Sequence, residues 1–153
     1  MKLRADILVQ NPDGHPIAVI EVKNRQHLSR DIAVELHGNI IANGLPHQIP
    51  YFLLLSQDTG FLWSNMGRQG LNPSPTLEFP MNDVIRRYLP KLDTKERLRD
   101  AELEFLIIQW LIDLTGGAQD DNQEPERSLA LANFLDSIRG AMVVAEASLD
   151  RVR

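Results

Sequence analysis

The chain has 153 residues, 43% hydrophobic and 24% charged, with no cysteine and a formal net charge of −5. One folded unit with a sizeable core is expected; disulfides and thiolate metal sites are excluded, and no apolar run reaches the length of a membrane span. The opening MKLRADILV lacks a signal-peptide layout, which makes a cytoplasmic setting the expectation. The acidic balance argues against non-specific grip on nucleic acid by bulk positive charge.

In chain order, KLRADILVQ reads as a strand, NPDGHP as a turn and IAVIEVKN as a second strand. A helix is predicted from about Arg30 to Asn43, capped by Ser29, with Ile32, Leu36 and Ile40 as its apolar stripe. YFLLLS reads as a buried strand, QDTG as a turn and FLWS as a partner strand. Residues 65–80, rich in Gly, Pro, Ser and Asn, read as a long loop. The rest reads as helical. NDVIRRYL ends at Pro90; a longer helix starts near Asp93, where Asp93 and Glu96 resemble a capping box, and runs to Leu114. After the polar linker AQDDNQEPE, a last helix is predicted over 126–152. Its Leu131, Leu135, Ile138, Met142, Ala145 and Leu149 form a heptad-type seam. That seam would pack on Leu103, Ile107, Trp110 and Leu114 within the chain or serve a homodimer. The expected division is an α/β core over 1–80 and a helical extension over 81–153.

Within the first hairpin, Glu21 and Lys23 share a face of a strand whose neighbours are apolar. A turn centred on Asp13-Gly14 opposes Asp6 with Glu21, Arg4 with Lys23 and Leu8 with Val19. The same register gathers Leu3, Ala5, Ile7, Val9, Ala18, Ile20 and Val22 on the other face. A three-residue Pro12-Asp13-Gly14 loop would shift the pairing by one and scramble both faces, so the pattern favours the first register. In it two carboxylates stand roughly 4.5–5.5 Å apart at Cβ. Opposed like charges need a proton or a cation between them, and hard oxygen ligands in this number suit Mg²⁺. An adjacent lysine can stabilise charge developing on a phosphate.

Asp6, a hairpin, Glu21-Val22-Lys23, a helix and an apolar strand together resemble the PD-(D/E)xK nuclease superfamily, over roughly residues 2–64. The resemblance implies a restriction-endonuclease-like mixed sheet flanked by helices, here with a C-terminal helical extension. It implies a nuclease using Mg²⁺ or Mn²⁺ and acting on nucleic acid, DNA by expectation. Asp6, Glu21 and the Val22 backbone carbonyl would be metal ligands, and Lys23 would assist the attacking water. Ala5 stands where the family name has Pro. The family has a helix and a strand before the Asp, the helix often bearing another acid, whereas five residues precede Asp6 here. An upstream start, the C-terminal helices (with Glu102, Glu104 and Glu146 as acids) or another subunit could supply them, or the site could be inactive. The alternative function is accordingly a non-catalytic module of the same fold, acting in nucleic-acid binding or assembly.

Gln26 and Arg30 follow the lysine closely enough to contact a phosphate. Asp93-Thr94-Lys95 also fits D-x-K, but capping and solvation account for it. His15, His27, His37 and His47 lack metal-type spacing, and turn, helix-face and loop positions account for them. Arg86-Arg87 beside Tyr88 is a small basic-aromatic cluster best read as a solvated helix face. Phe105, Trp110 and Phe134 are expected in the core.

Overall fold

Alternating apolar residues form strands β1 (Leu3–Gln10) and β2 (Pro16–Val22), paired antiparallel through Ile7↔Ile20, Leu8↔Val19 and Val9↔Ala18. The structure, a computed structural model, describes residues 3–44, 49–64, 74–93, 95–117 and 121–149. The turn resolves the choice of register by using both. Gly14 N–H bonds to the Asn11 carbonyl and Asn11 N–H to the His15 carbonyl, which closes a three-residue Pro12-Asp13-Gly14 loop. Gly14, at φ 90°, takes the left-handed position such a loop requires. The pairing Gln10↔Pro16 is one residue out of step with Val9↔Ala18, so Ile17 bulges and restores the register that opposes Asp6 with Glu21.

After β2 the chain crosses through helix α1 (Arg30–Ala42) to β3 (Tyr51–Leu55), parallel to β2, and turns back into β4 (Thr59–Ser64). Ser29 caps α1, its Oγ accepting from Ile32 N–H at 3.3 Å. Strand β5 (Leu77–Pro80) lies in the stretch expected to be loop, at the sheet edge where its proline breaks no ladder. Residues 65–73 of that expected loop lie outside the described residues. Gly60 is required opposite it: a Cβ there would come within 2.3 Å of the Phe79 ring.

Helix α2 (Asn82–Tyr88) follows as expected. Helix α3 (Asp100–Thr115) starts seven residues later than the Asp93 cap predicted. Asp93 and Glu96 do bond, through Asp93 N–H to Glu96 Oε1 at 3.2 Å, but they close a turn on the approach.

The last helix is a correction. In place of one helix over 126–152 there are α4 (Glu126–Leu131), α5 (Phe134–Ile138) and strand β6 (Met142–Leu149). Gly140 takes φ 77° and bonds its N–H to the Thr115 carbonyl, turning the chain at the end of α3. Consecutive β-branched Val143 and Val144 then favour a strand, and β6 pairs antiparallel along β1 from Gln10↔Met142 to Leu3↔Leu149. The heptad seam therefore does not exist as a helix face. Leu135 and Ile138 are buried within the chain, Leu131 is exposed, and Met142 is an edge-strand residue.

The sheet is mixed, in the order β5-β4-β3-β2-β1-β6, with helices on both faces. Phe52, Leu54, Phe61, Trp63, Leu8 and Val19 pack toward α1. Leu53, Leu55, Leu62, Ile7, Val9 and Ile20 pack toward Leu103, Ile107, Trp110 and Phe134 of the other layer. The hairpin's expected charged face is thus a buried face as well, and its charges are confined to the strand ends. Ala5 departs from the alternation, packing in the cluster of Leu8 rather than that of Ile7. Phe105, expected in the core, is 64% exposed, while Trp110 and Phe134 are buried.

Candidate active site

The site begins where β1 and β2 part. Their backbone pairing runs to Ile7↔Ile20, and the N–H of Val22 donates to Asp6 Oδ2 at 2.8 Å. Asp6 thus occupies, with its side chain, a place on β2 that a strand partner's carbonyl would otherwise fill. This bond fixes Val22 through its N–H; the carbonyl was the group expected to serve the site. On the other side, Lys23 N–H bonds to the Leu55 carbonyl at 2.8 Å, which ties the end of β2 to β3. The two strand ends open between these two bonds.

Asp6 and Glu21 meet in that opening. Burial and the Asp6 charge, together with a hydrogen bond to Asp6, push the Glu21 carboxyl up to about 8, while the nearby Lys23 charge acts in the opposite direction. Near neutral pH Glu21 therefore keeps its proton beside Asp6. Sequence reasoning located this pair and its lysine, and the structure brings all three to one place.

A further acid arrives from the opposite layer. Burial, and after it the charges of Asp6, Glu146 and Asp100, raise the Glu104 carboxyl. Glu104 lies on α3, and Glu146 is set opposite Asp6 by the flanking pairs Ala5↔Ala147 and Ile7↔Ala145. Glu146 takes φ 51°, a left-handed backbone that side chains other than glycine rarely adopt. Glu102, the other acid weighed from sequence, is spent at the helix start, where Oε1 accepts from Arg99 N–H at 2.9 Å. Among the described residues no three acidic or histidine side chains converge closely enough to enclose an ion by themselves. Asp6 and Glu21 form the pair, and Glu104 stands off it.

Three contacts that sequence reasoning missed set the position of α3. Gln57, 4% exposed, donates Nε2 to the Glu96 carbonyl at 2.7 Å and accepts from Leu98 N–H at 2.8 Å. Asn24 donates to the Leu98 carbonyl and, at 3.0 Å, to Asp100. Arg97 pairs with Asp58 at 2.8 Å. The residue after the candidate lysine and the β3–β4 turn thus grip the lead-in to α3, four residues ahead of Glu104. No periodicity marks such contacts; a polar residue in a tight turn was the only signal.

The remaining candidates separate cleanly. Gln26 and Arg30 are exposed on the loop after β2 and at the start of α1. His15 pairs with Asp13, His27 is exposed, and His47 lies outside the described residues. His37 is buried and stacks on Trp63 with centroids 4.3 Å apart; neither ring nitrogen has a partner, and burial lowers it to about 4. The Arg86-Arg87-Tyr88 cluster is consumed internally: Arg86 pairs with Asp83, Arg87 bidentately with buried Glu126, and Tyr88 bonds to Asp113. No helix among the described residues is long and apolar enough to cross a membrane. No protein family, curated protein or solved structure matches the chain.

Proposed function

We propose that the protein is a divalent-metal-dependent nuclease of PD-(D/E)xK type, hydrolysing phosphodiester bonds in nucleic acid. The observation that carries this reading is the opposed pair Asp6 and Glu21 at an opening between strand ends, with Lys23 beside it. The helix and strand that the resemblance asks for ahead of the Asp have counterparts later in the chain. Strand β6 pairs with β1, and α3, which packs over β6, bears Glu104. The order helix, strand, Asp strand, Glu-Lys strand, helix, strand is then met in space by a permuted chain, and this supports a restriction-endonuclease-like fold.

The donor set fits Mg²⁺ or Mn²⁺. Two hard carboxylates oppose each other at an energetic cost, and the proton that Glu21 keeps is the charge a cation would replace. Asp6 and Glu21 would hold the metal, with the Val22 carbonyl as a further ligand and Glu104 available from α3. The bound cation would neutralise phosphate charge and make water easier to deprotonate. Lys23, the residue that follows β2, orients the attacking water and stabilises the negative charge that grows on the phosphate. Asp6, braced by the Val22 N–H, is the fixed member of the pair, and Glu21 is the member that gives up its proton.

The test is Mg²⁺- and Mn²⁺-dependent cleavage of plasmid and oligonucleotide substrates. Lys23→Ala is expected to lower the rate by about 10²–10³ while leaving the melting temperature unchanged. A rate that does not respond to Lys23→Ala would overturn the assignment. Metal binding without any cleavage would favour the non-catalytic module.

A further inference from the structure

The positive charges among the described residues divide into those paired with carboxylates and those that are not. Arg86, Arg87, Arg97, Arg99 and Arg139 each pair with a carboxylate of the chain. Among the described residues Lys23, Arg25, Arg30, Lys91, Lys95 and Arg127 make no ion pair. All but Arg127 belong to two adjoining segments. Lys23, Arg25 and Arg30 lie on the run from the end of β2 into α1; Lys91 and Lys95 lie on the run from α2 into α3. Asn24 joins the two segments through Leu98 and Asp100, and Gln57 holds the second against the end of β3 through Glu96 and Leu98. Both therefore border the end of the sheet where β2 and β3 terminate, around the Asp6–Glu21 opening. In a chain of net charge −5, these cations stand on one rim among Asp31, Asp93, Glu96 and Asp100, so a strand there would be met by individual side chains and not by a broad positive field.

We infer that Arg25, Arg30 and Lys95 form a phosphate-binding track that lays a nucleic-acid strand across the carboxylate pair. The inference rests on the nuclease reading for its substrate, but it can stand or fall separately. Arg25, Arg30 and Lys95 are exposed and free to reach backbone phosphates, whereas Lys23 is half-buried beside Glu21 and belongs to the chemistry. Contacts of this kind fix the register of a strand without reading its bases, so the track selects for polyphosphate backbone.

The experiment is fluorescence anisotropy of labelled DNA and RNA oligonucleotides of one sequence, single-stranded and duplex, with Ca²⁺ present, over a range of salt. Arg25→Glu and Lys95→Glu are each expected to weaken binding about tenfold and to flatten the salt dependence by about one ion. Arg127→Glu, which changes net charge equally on α4, outside the two segments, is expected to change it less than twofold. Equal loss in all three variants, or no binding of any oligonucleotide, would overturn the track. Competition by heparin as strong as by unlabelled oligonucleotide would overturn the nucleic-acid assignment in favour of a sulfated polysaccharide. Binding through Arg25 and Lys95 without cleavage would uphold the track and overturn the nuclease. Cleavage and binding unaffected by Arg25→Glu and Lys95→Glu would do the reverse.

Discussion

Two titratable side chains, Glu21 and His37, are shifted in opposite directions, both chiefly by burial, and each leaves a mark on stability. Glu21 rises from 4.5 to about 8 through burial and the Asp6 charge, so the folded chain keeps a proton that the unfolded chain releases. Its contribution is present below the ordinary carboxylate range and is lost as pH climbs toward about 8. His37 falls from 6.5 to about 4 because burial disfavours its charged form; its contribution is present above about 6.5 and is lost as pH falls toward 4. Between roughly pH 4.5 and 6.5 the two oppose each other. Urea denaturation across pH is expected to show Glu21→Gln removing the decline on the alkaline side, and His37→Phe removing the decline on the acid side. Variant profiles parallel to the wild type would contradict the assignment. The Asp6–Glu21 pair was legible in the sequence because strand alternation and a turn suffice to oppose two residues. The isolation of His37 was not legible, since its helix face looked polar at that position until Trp63 and Phe52 closed over it.

At the scale of elements, β1, β2, α1, β3 and β4 could be read from local period and punctuation. β6 could not. Leu131 to Leu149 keeps helical spacing across Gly140, and what decides the matter is a long-range pairing with β1 that no local pattern encodes. The consequence is measurable. If the residues formed a dimer seam, Leu135→Asp and Met142→Asp would act alike, dissociating an assembly and leaving the protomer folded. In the observed packing Leu135 is 2% exposed and Met142 50% exposed. Leu135→Asp is therefore expected to destabilise the fold by several kcal/mol, as an unpaired buried charge does. Met142→Asp is expected to change stability by about 0.5 kcal/mol or less. Thermal melting with sedimentation of both variants checks this. Two folded variants that differ from wild type only in mass would restore the seam.

For the molecule as a whole, the surroundings of the Asp6–Glu21 opening come from parts far apart in the chain. The pair and its lysine, Asp6 to Lys23, come from one hairpin and were visible in advance. Glu104 on α3, which stands off that pair, depends for its place on the grip of Asn24 and Gln57 on the residues before that helix, and only the folded path reveals it. The proposed function requires that a divalent metal bind between Asp6 and Glu21 and displace the proton that Glu21 holds. Calorimetric titration of Mn²⁺ near neutral pH, in two buffers of different ionisation enthalpy, tests it most directly. Binding is expected to release close to one proton, to be abolished by Asp6→Asn, and under Glu21→Gln no longer to release that proton. Binding without proton release, or binding indifferent to both substitutions, would contradict it.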